Sequence, residues 1–345
     1  MADATQTPAA HATAAASAKA LLGEVTSPAT EAERRCAASQ ELKDLATSDA
    51  AAFAALKGSD VVGACWRLVA TDATARDGAA EMVARRDGNG DAVLPSVLDA
   101  LAELALLRIP SLLGAQMSTL DTVLSICDHA GALGAPSERV SPERLALVAA
   151  YRWLAALSTH PVSGHLLKAG LGERLQKTLS LRTDKELLLQ CCVVAANVAA
   201  DGGDQAEALC ACRIPRLLGR LLVVEANPDL KDHAVAAINR IARSARGERL
   251  DGDELIGPDA FAALAGAPRP ACAAEGVWAL HILAAKGGPR VAARLAKLPS
   301  VIAALEAKTA TPEVGDGDSA LAQKVAALTL EDLAPHRADA PPPAP

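Results

Sequence analysis

The sequence predicts an all-α protein, a right-handed superhelix (α-solenoid) of repeated helical layers. Three observations predict it: the composition, a recurring helix ending, and helix-start signals that recur at the same interval. About half of the residues are apolar (51%), yet only 2% are aromatic, and Ala and Leu predominate. Since Ala and Leu are the strongest helix formers, this composition favours closely packed helices throughout the chain.

The recurring ending is seen first in VVAANVAADGG (193–203) and WALHILAAKGG (278–288), which align without a gap at an offset of 85 residues. A search for the same apolar pattern gives five helix ends, separated by 41, 43, 42 and 50 residues. The offset of 85 is therefore two periods of about 42 residues, which is typical of a repeat array. The predicted ends are Leu157, Val198, Ile241, Leu283 and Leu333.

Helix-start signals provide an independent check on this period. Ser141-Pro142-Glu143 and Asn227-Pro228-Asp229 each place a capping residue, a first-turn proline and an acid at a helix start. Thr183 with Glu186 has the form of a capping box. With Pro270 and Asp318, these starts advance by 42, 44, 43 and 48 residues, in step with the ends.

Two shorter apolar segments lie between each long-helix end and the next start, so each unit has three helices. This unit resembles the armadillo repeat, and the stretches CRIPRLLGRLL, LLKAGLGERLQKTL and VWALHILAAKGG carry the resemblance. It extends over residues 141–335. The resemblance implies an armadillo/HEAT-like solenoid in which the third, long helix of each unit lines a concave groove that binds protein segments.

The chain is accordingly divided into four parts. Residues 1–30 and 336–345 are low in complexity and are predicted to be disordered tails, the second one Pro-rich. Residues 31–140 are predicted to be degenerate armadillo-like repeats, and 141–335 the regular ones. In the degenerate part, RIPSLLG (108–114) echoes RIPRLLG (213–219), and we assign their irregular spacing to a loop at 129–140.

Charge, hydropathy and cysteine usage limit the function classes. The net charge of −7 provides no broad basic field, so we expect no nucleic-acid partner. No window reaches the roughly 18 apolar residues of a membrane span, so we expect no membrane insertion. The start of the sequence lacks the features of a secretory signal. Eight cysteines without framework spacing indicate reduced, mostly buried thiols and a cytoplasmic location.

Two stretches imitate metal sites. DGNGDAVLPSVL (87–98) resembles a calcium loop, but Ala92 replaces the required glycine and Leu98 the bidentate glutamate, so we interpret it as an interhelical loop. Cys191, Cys192, Cys210 and Cys212 lack the zinc-knuckle spacing, because adjacent helical cysteines point about 100° apart. With no catalytic constellation either, we expect no metal, no cofactor and no enzymatic activity.

Candidate binding residues follow from the resemblance. Counted back from the last apolar anchor of each long helix, positions −1, −5 and −8 share one helix face. Asn197 at −1 would hold a peptide backbone, Arg240 at −1 a carboxylate, and Trp278 at −5 an aliphatic stem or a cation. The alternative is that these are simply solvated positions. The candidates are Arg152, Gln190, Asn197, His233, Arg240, Glu275 and Trp278.

Family members that bind nuclear-localisation peptides repeat Trp at −5 and Asn at −1 in successive units. Only Trp278 and Asn197 fit here, two units apart, which argues against that specificity. Trp153 falls at −4 and is predicted to pack in the core, whereas Tyr151 is expected at the surface.

These observations favour a non-catalytic scaffold that binds a protein or peptide partner along its groove. Three alternatives remain open: a co-chaperone similar to the small armadillo nucleotide-exchange factors of Hsp70, a structural subunit of a cytoskeletal or flagellar assembly, and an enzyme with a cysteine nucleophile. The sequence does not predict the oligomeric state.

Overall fold

The structure is a computed structural model that describes the chain except residues 1–7, 28, 58, 70–92, 108, 133–140, 182–183, 225–226, 247–255, 267–269, 311–316 and 338–345. The described residues form nineteen helices and contain no strand. None of these helices combines the length and the hydropathy needed to cross a bilayer. The chain divides into two compact units, residues 1–169 and 170–345.

Unit 1 contains nine of the described helices. They are α1 (Pro8–Thr26), α2 (Ala32–Ser48), α3 (Ala50–Lys57), α4 (Val61–Val69), α5 (Val93–Ala105), α6 (Pro110–Met117), α7 (Leu120–Ala132), α8 (Pro142–Leu157) and α9 (Ser163–Lys168).

The long helices of unit 1 pack side by side, α2 against α5 and α5 against α8. Helix α5 is the most deeply buried, because its apolar residues recur on every side that meets a neighbour.

Trp153 of α8 is fully enclosed, as predicted, and its Nε1 donates to Gln116 Oε1 at 2.8 Å. Tyr151 is also enclosed, so the expectation that it lies at the surface is wrong.

Helix α1 differs from the prediction of a disordered tail over residues 1–30. From Pro8 to Thr26 the chain is helical, and this helix packs against α2, α3 and α4. Ala18 and Val25 are fully buried in these contacts. Tertiary packing therefore gives a fixed structure to an Ala-rich stretch whose own pattern shows no apolar face.

Unit 2 contains the other ten described helices. They are α10 (Leu171–Leu181), α11 (Lys185–Ala200), α12 (Gly203–Ala211), α13 (Ile214–Val224), α14 (Pro228–Ser244), α15 (Pro258–Ala265), α16 (Pro270–Lys286), α17 (Gly288–Ala296), α18 (Pro299–Ala310) and α19 (Gly317–Arg337).

Unit 2 has two helical layers. The long helices α11, α14, α16 and α19 pack in sequence against one another, and α10, α13, α15 and α18 pack in the same order in the second layer. Each second-layer helix also contacts the long helix that follows it in the chain. The apolar stripes of both layers meet between them, which leaves the opposite side of the long helices uncovered by the second layer.

The predicted period is confirmed. The long helices begin at Pro142, Lys185, Pro228, Pro270 and Gly317, at intervals of 43, 43, 42 and 47 residues. They end within four residues of the predicted anchors, so the all-α repeat architecture predicted from the sequence is confirmed.

The predicted caps are confirmed at two helices and shifted at a third. Ser141 Oγ accepts from the backbone N–H of Arg144 at 3.2 Å, and Asn227 Oδ1 accepts from that of Asp229 at 2.9 Å. Helix α11, however, is capped by Asp184, whose Oδ1 accepts from Glu186 at 3.0 Å and from Leu187 at 3.1 Å. The predicted Thr183 cap is wrong by one residue, because the adjacent aspartate is a stronger cap than threonine.

The echo between RIPSLLG and RIPRLLG does not mark equivalent helices. Pro110 begins α6, the first helix after a long one, whereas Ile214 begins α13, the second helix after a long one. In the unit that holds RIPRLLG, the first and second helices begin 11 residues apart, at Gly203 and Ile214, so this mismatch accounts for about half of the excess over two periods. The long helices α5 and α8 begin 49 residues apart, against 42 or 43 in the next three steps, so the interval that contains 129–140 also holds extra residues. The predicted interhelical loop at 87–98 lies outside the described residues up to 92, and its remainder begins α5.

Candidate ligand-binding face

The uncovered side of α11, α14, α16 and α19 is called the open face of unit 2. The spacing rule predicts its members at positions −1, −5 and −8 of each long helix. They are Gln190, Val193, Asn197, His233, Ala236, Arg240, Glu275, Trp278, Ile282, Val325, Leu328 and Asp332.

A direct contact joins the −1 positions of two neighbouring long helices. Arg240 Nη1 on α14 donates to Asn197 Oδ1 on α11 at 3.2 Å, at an exposed point of the surface. The two residues are one repeat apart in the sequence, so equivalent positions of successive units lie side by side. The amide of Asn197 and the guanidinium of Arg240 together offer donors and an acceptor to a ligand.

The C-terminal half of the open face is aromatic, aliphatic and acidic. Trp278 on α16 is half-buried, and the ring of His281 meets it edge-on with centroids 5.7 Å apart and planes at 71°. His281 Nδ1 lies 3.2 Å from Asp332 Oδ2 on α19. Ile282 is half-buried, and Leu328 of α19 is 48% exposed. An apolar side chain with a carboxylate beside it is thus presented at this end.

The −8 positions behave less regularly than the other two. Gln190 and Glu275 are half-buried and His233 is exposed, in agreement with the prediction. Val325 of α19 and Ala149 of α8, which occupy the same position, are buried. Position −8 lies at the edge of the buried stripe, so its exposure depends on how closely the neighbouring helix packs.

Arg152 belongs to unit 1, unlike the other candidates, and it is paired with a carboxylate. Its Nη1 lies 2.7 Å from Asp99 Oδ1 on α5, and both side chains are only partly exposed. A second pair joins α5 to α2, with Lys43 Nζ of α2 at 2.6 Å from Glu103 Oε2 of α5. The corresponding surface of unit 1 therefore carries paired charges, which sequence reasoning missed.

The helical spacing of Asp99 and Glu103, four residues apart, is the signal that could have indicated the charged surface of unit 1. It was hidden because the repeat register before residue 141 was not predicted.

Three of the cysteines lie in surroundings that keep their thiols protonated. Burial raises the pKa of Cys65 and of Cys192 to about 12. Burial, together with the nearby Asp99 carboxylate, raises the pKa of Cys36 to about 11. A thiol with such a pKa holds almost no thiolate at neutral pH, so none of these three is an activated nucleophile. The described residues contain no group of three or more His, Cys, Asp or Glu side chains close enough to share a metal ion.

Comparison with solved structures identifies the fold. A computationally designed armadillo repeat protein made for modular peptide recognition superposes with a TM-score of 0.56 and 22% identity, over 71% of this chain and 95% of that one. A second designed armadillo repeat protein gives a TM-score of 0.53 and 22% identity, over 73% of this chain and 96% of that one. The chain has an armadillo-type repeat fold.

The likeness to these and other solved structures concerns the fold alone, because the sequence identity is low. An engineered protein matches over 92% of this chain, with a TM-score of 0.50 and 19% identity. No protein-family model matches the chain, and no curated protein matches it.

Proposed function

We propose that this armadillo-type protein is a non-catalytic scaffold that binds an extended segment of a partner protein along the open face of unit 2. The observation that carries the proposal is the Arg240–Asn197 contact, which aligns equivalent polar positions of successive long helices on one exposed surface. A designed armadillo repeat protein with the same fold was made for modular peptide recognition. A periodic surface of this kind matches the periodic backbone of an extended peptide.

We also propose a cytoplasmic location. All eight cysteines are free, as is usual where the glutathione pool keeps thiols reduced. Subcellular fractionation of the native protein tests this directly, and recovery in an oxidising compartment would contradict it.

The test of the binding face is an affinity pull-down with two triple variants. Asn197→Ala, Arg240→Ala and Trp278→Ala together remove the polar and aromatic groups of the open face. The matched control removes three exposed charges from other helices of the same unit, through Lys177→Ala, Arg220→Ala and Arg290→Ala. We expect the first variant to lose a partner at least tenfold in quantity and the control to retain it.

The captured partner is then cut into overlapping peptides, and each is measured by fluorescence anisotropy against both variants. Equal binding by the two triple variants, with unchanged helicity by circular dichroism, would rule the open face out. An Hsp70 nucleotide-release assay tests the alternative function of a co-chaperone. If the open-face variant accelerates nucleotide release, the co-chaperone activity belongs to another surface.

A further inference from the structure

The two halves of the open face differ in chemistry. The half formed by α11 and α14 offers an amide and a cation, Asn197 and Arg240, held together at 3.2 Å. The half formed by α16 and α19 offers the ring of Trp278 and the side chain of Leu328, with the Asp332 carboxylate one turn further along α19. One end of the face therefore favours an anion, and the other favours an apolar group beside a cation.

Glu275 adds to this difference. It lies three residues before Trp278, on the same face of α16, and is half-buried. Asp332 reaches the same end from α19, through its contact with His281 at 3.2 Å. Two carboxylates thus flank the apolar surface, whereas the guanidinium of Arg240 stands at the other end.

The helix packing sets the distance between the two ends. Neighbouring packed helices lie about 8–10 Å apart, so the step from α14 across α16 to α19 covers roughly 16–20 Å. An extended peptide advances about 3.3 Å per residue, so this span corresponds to roughly five or six residues.

We infer that the ligand is a bipolar extended segment, with an Asp or Glu at one end and, about five residues away, an apolar residue next to a Lys or Arg. This inference rests on the proposed function and names the chemistry of its partner. A uniformly basic segment places a cation against Arg240, and a uniformly acidic one places anions against Glu275 and Asp332. Each of these arrangements opposes like charges at one end of the face.

Synthetic peptides test the composition. The bipolar peptide is tested in both chain directions, as DAQASLK and as its reversed sequence KLSAQAD, because the helix packing sets the spacing of the two ends and not the direction of the ligand. Both peptides are labelled with fluorescein and capped at both ends. KAQASLK and DAQASLD serve as the uniformly basic and acidic counterparts. We expect one of the two bipolar orders to bind at least tenfold more tightly than either counterpart in fluorescence anisotropy at 50 mM salt.

Charge reversal then assigns the two ends. Arg240→Glu should weaken the bipolar peptide at least tenfold and be rescued by the counterpart with Lys in place of Asp. Asp332→Lys should weaken it similarly and be rescued by the counterpart with Asp in place of Lys. Arg220→Glu, an exposed position on α13, is the control and should change nothing beyond twofold.

The outcomes separate the two proposals. If bipolar and uniform peptides bind equally and Trp278→Ala abolishes all of them, the face binds peptides and the bipolar inference is wrong. If peptides bind but neither Trp278→Ala nor the charge reversals affect them, the proposed face itself is wrong. If no peptide binds, and the native partner binds the open-face variants as tightly as the wild type, both proposals are overturned.

Discussion

At the scale of single residues, Arg35 shows how a charged group fixes local structure. It is one of the largest fully enclosed side chains of the described residues, and its guanidinium donates hydrogen bonds to both backbone and side-chain acceptors. It donates to the backbone carbonyls of Val25 at 3.3 Å and Thr30 at 2.8 Å, and to Ser96 Oγ on α5 at 2.7 Å. Because Val25 is in the last turn of α1, this cation also complements the carboxyl end of the helix.

Replacement of Arg35 by methionine should destabilise unit 1. The change keeps the aliphatic volume but leaves buried carbonyls without their donor, which costs about 2–4 kcal/mol. Arg67 is the control, because it is exposed and pairs locally with Asp60 at 3.0 Å. Urea denaturation should show a large loss for Arg35→Met and a much smaller one for Arg67→Met, with faster amide exchange in α1 only for the former. A larger effect at Arg67 would contradict this account of α1.

At the scale of helices, one glycine determines how closely two of them approach. Gly276 lies in the middle of α16, where a β-carbon would collide with the backbone carbonyl of Leu264 on α15. Gly114 lies inside α6 and has no such neighbour, since nothing comes within 4 Å of the position that its β-carbon would take. The same residue type therefore serves close packing at one site and has no packing role at the other.

Alanine substitutions should thus have opposite effects. Gly114→Ala should raise the free energy of unfolding by about 0.5–1 kcal/mol, because alanine is the better helix former. Gly276→Ala should lower it by about 1–3 kcal/mol, because α15 and α16 must move apart. Thermal denaturation monitored by circular dichroism measures both changes. Stabilisation by Gly276→Ala would show that the two helices separate without cost.

A helix can be predicted from the sequence when its packing makes apolar residues recur at a fixed interval along the chain. Long helices of unit 2 bury one stripe against the second layer, so their anchors recur about every 42 residues and were predicted within a few positions. Helix α1 leaves no such period, since it is Ala-rich and is held by Arg35 and by a few small contacts such as Ala18. Its presence could not be predicted from local pattern alone.

The arrangement of the open face was predicted to a similar extent, while its role as a binding site stays a prediction. The alignment of −1 positions follows from the repeat length and is seen in the contact between Arg240 and Asn197. The pairing of Arg152 with Asp99 could not be predicted, because it needs the register of α5, which precedes the regular repeats. Exposure at −8 also depends on packing distances that residue spacing does not determine, as the burial of Val325 shows.

At the scale of the whole molecule, buried thiols in both units link stability to alkaline pH. Cys65 in unit 1 and Cys192 in unit 2 each have a pKa raised by burial from an ordinary 9.0 to about 12. In the unfolded chain these thiols lose their protons above pH 9, whereas in the folded chain they keep them. Above pH 9 the unfolded state therefore binds fewer protons, and stability falls as pH rises.

The expected loss is up to about 1.4 kcal/mol per pH unit for each thiol between pH 9 and 12. Urea denaturation of the wild type and of a Cys65→Ala, Cys192→Ala variant at pH 7.5, 9 and 10 measures it. The variant should be less stable at pH 7.5 but should lose less stability between pH 9 and 10. Parallel losses in both proteins would show that other groups, and not these thiols, govern the alkaline limit.

The contact between Arg240 and Asn197 has a consequence for how tightly and how selectively this protein holds its partner. Each side chain already satisfies the other in the unliganded protein, so an incoming carboxylate exchanges one polar neighbour for another and gains little net free energy. Most of the binding strength must then come from water released around Trp278, whereas the polar pair rejects unsuitable sequences. Tightness would thus depend chiefly on the Trp278 end of the surface and discrimination on the Arg240 end, where a neutral substitution relaxes selectivity and only a reversed charge also weakens binding.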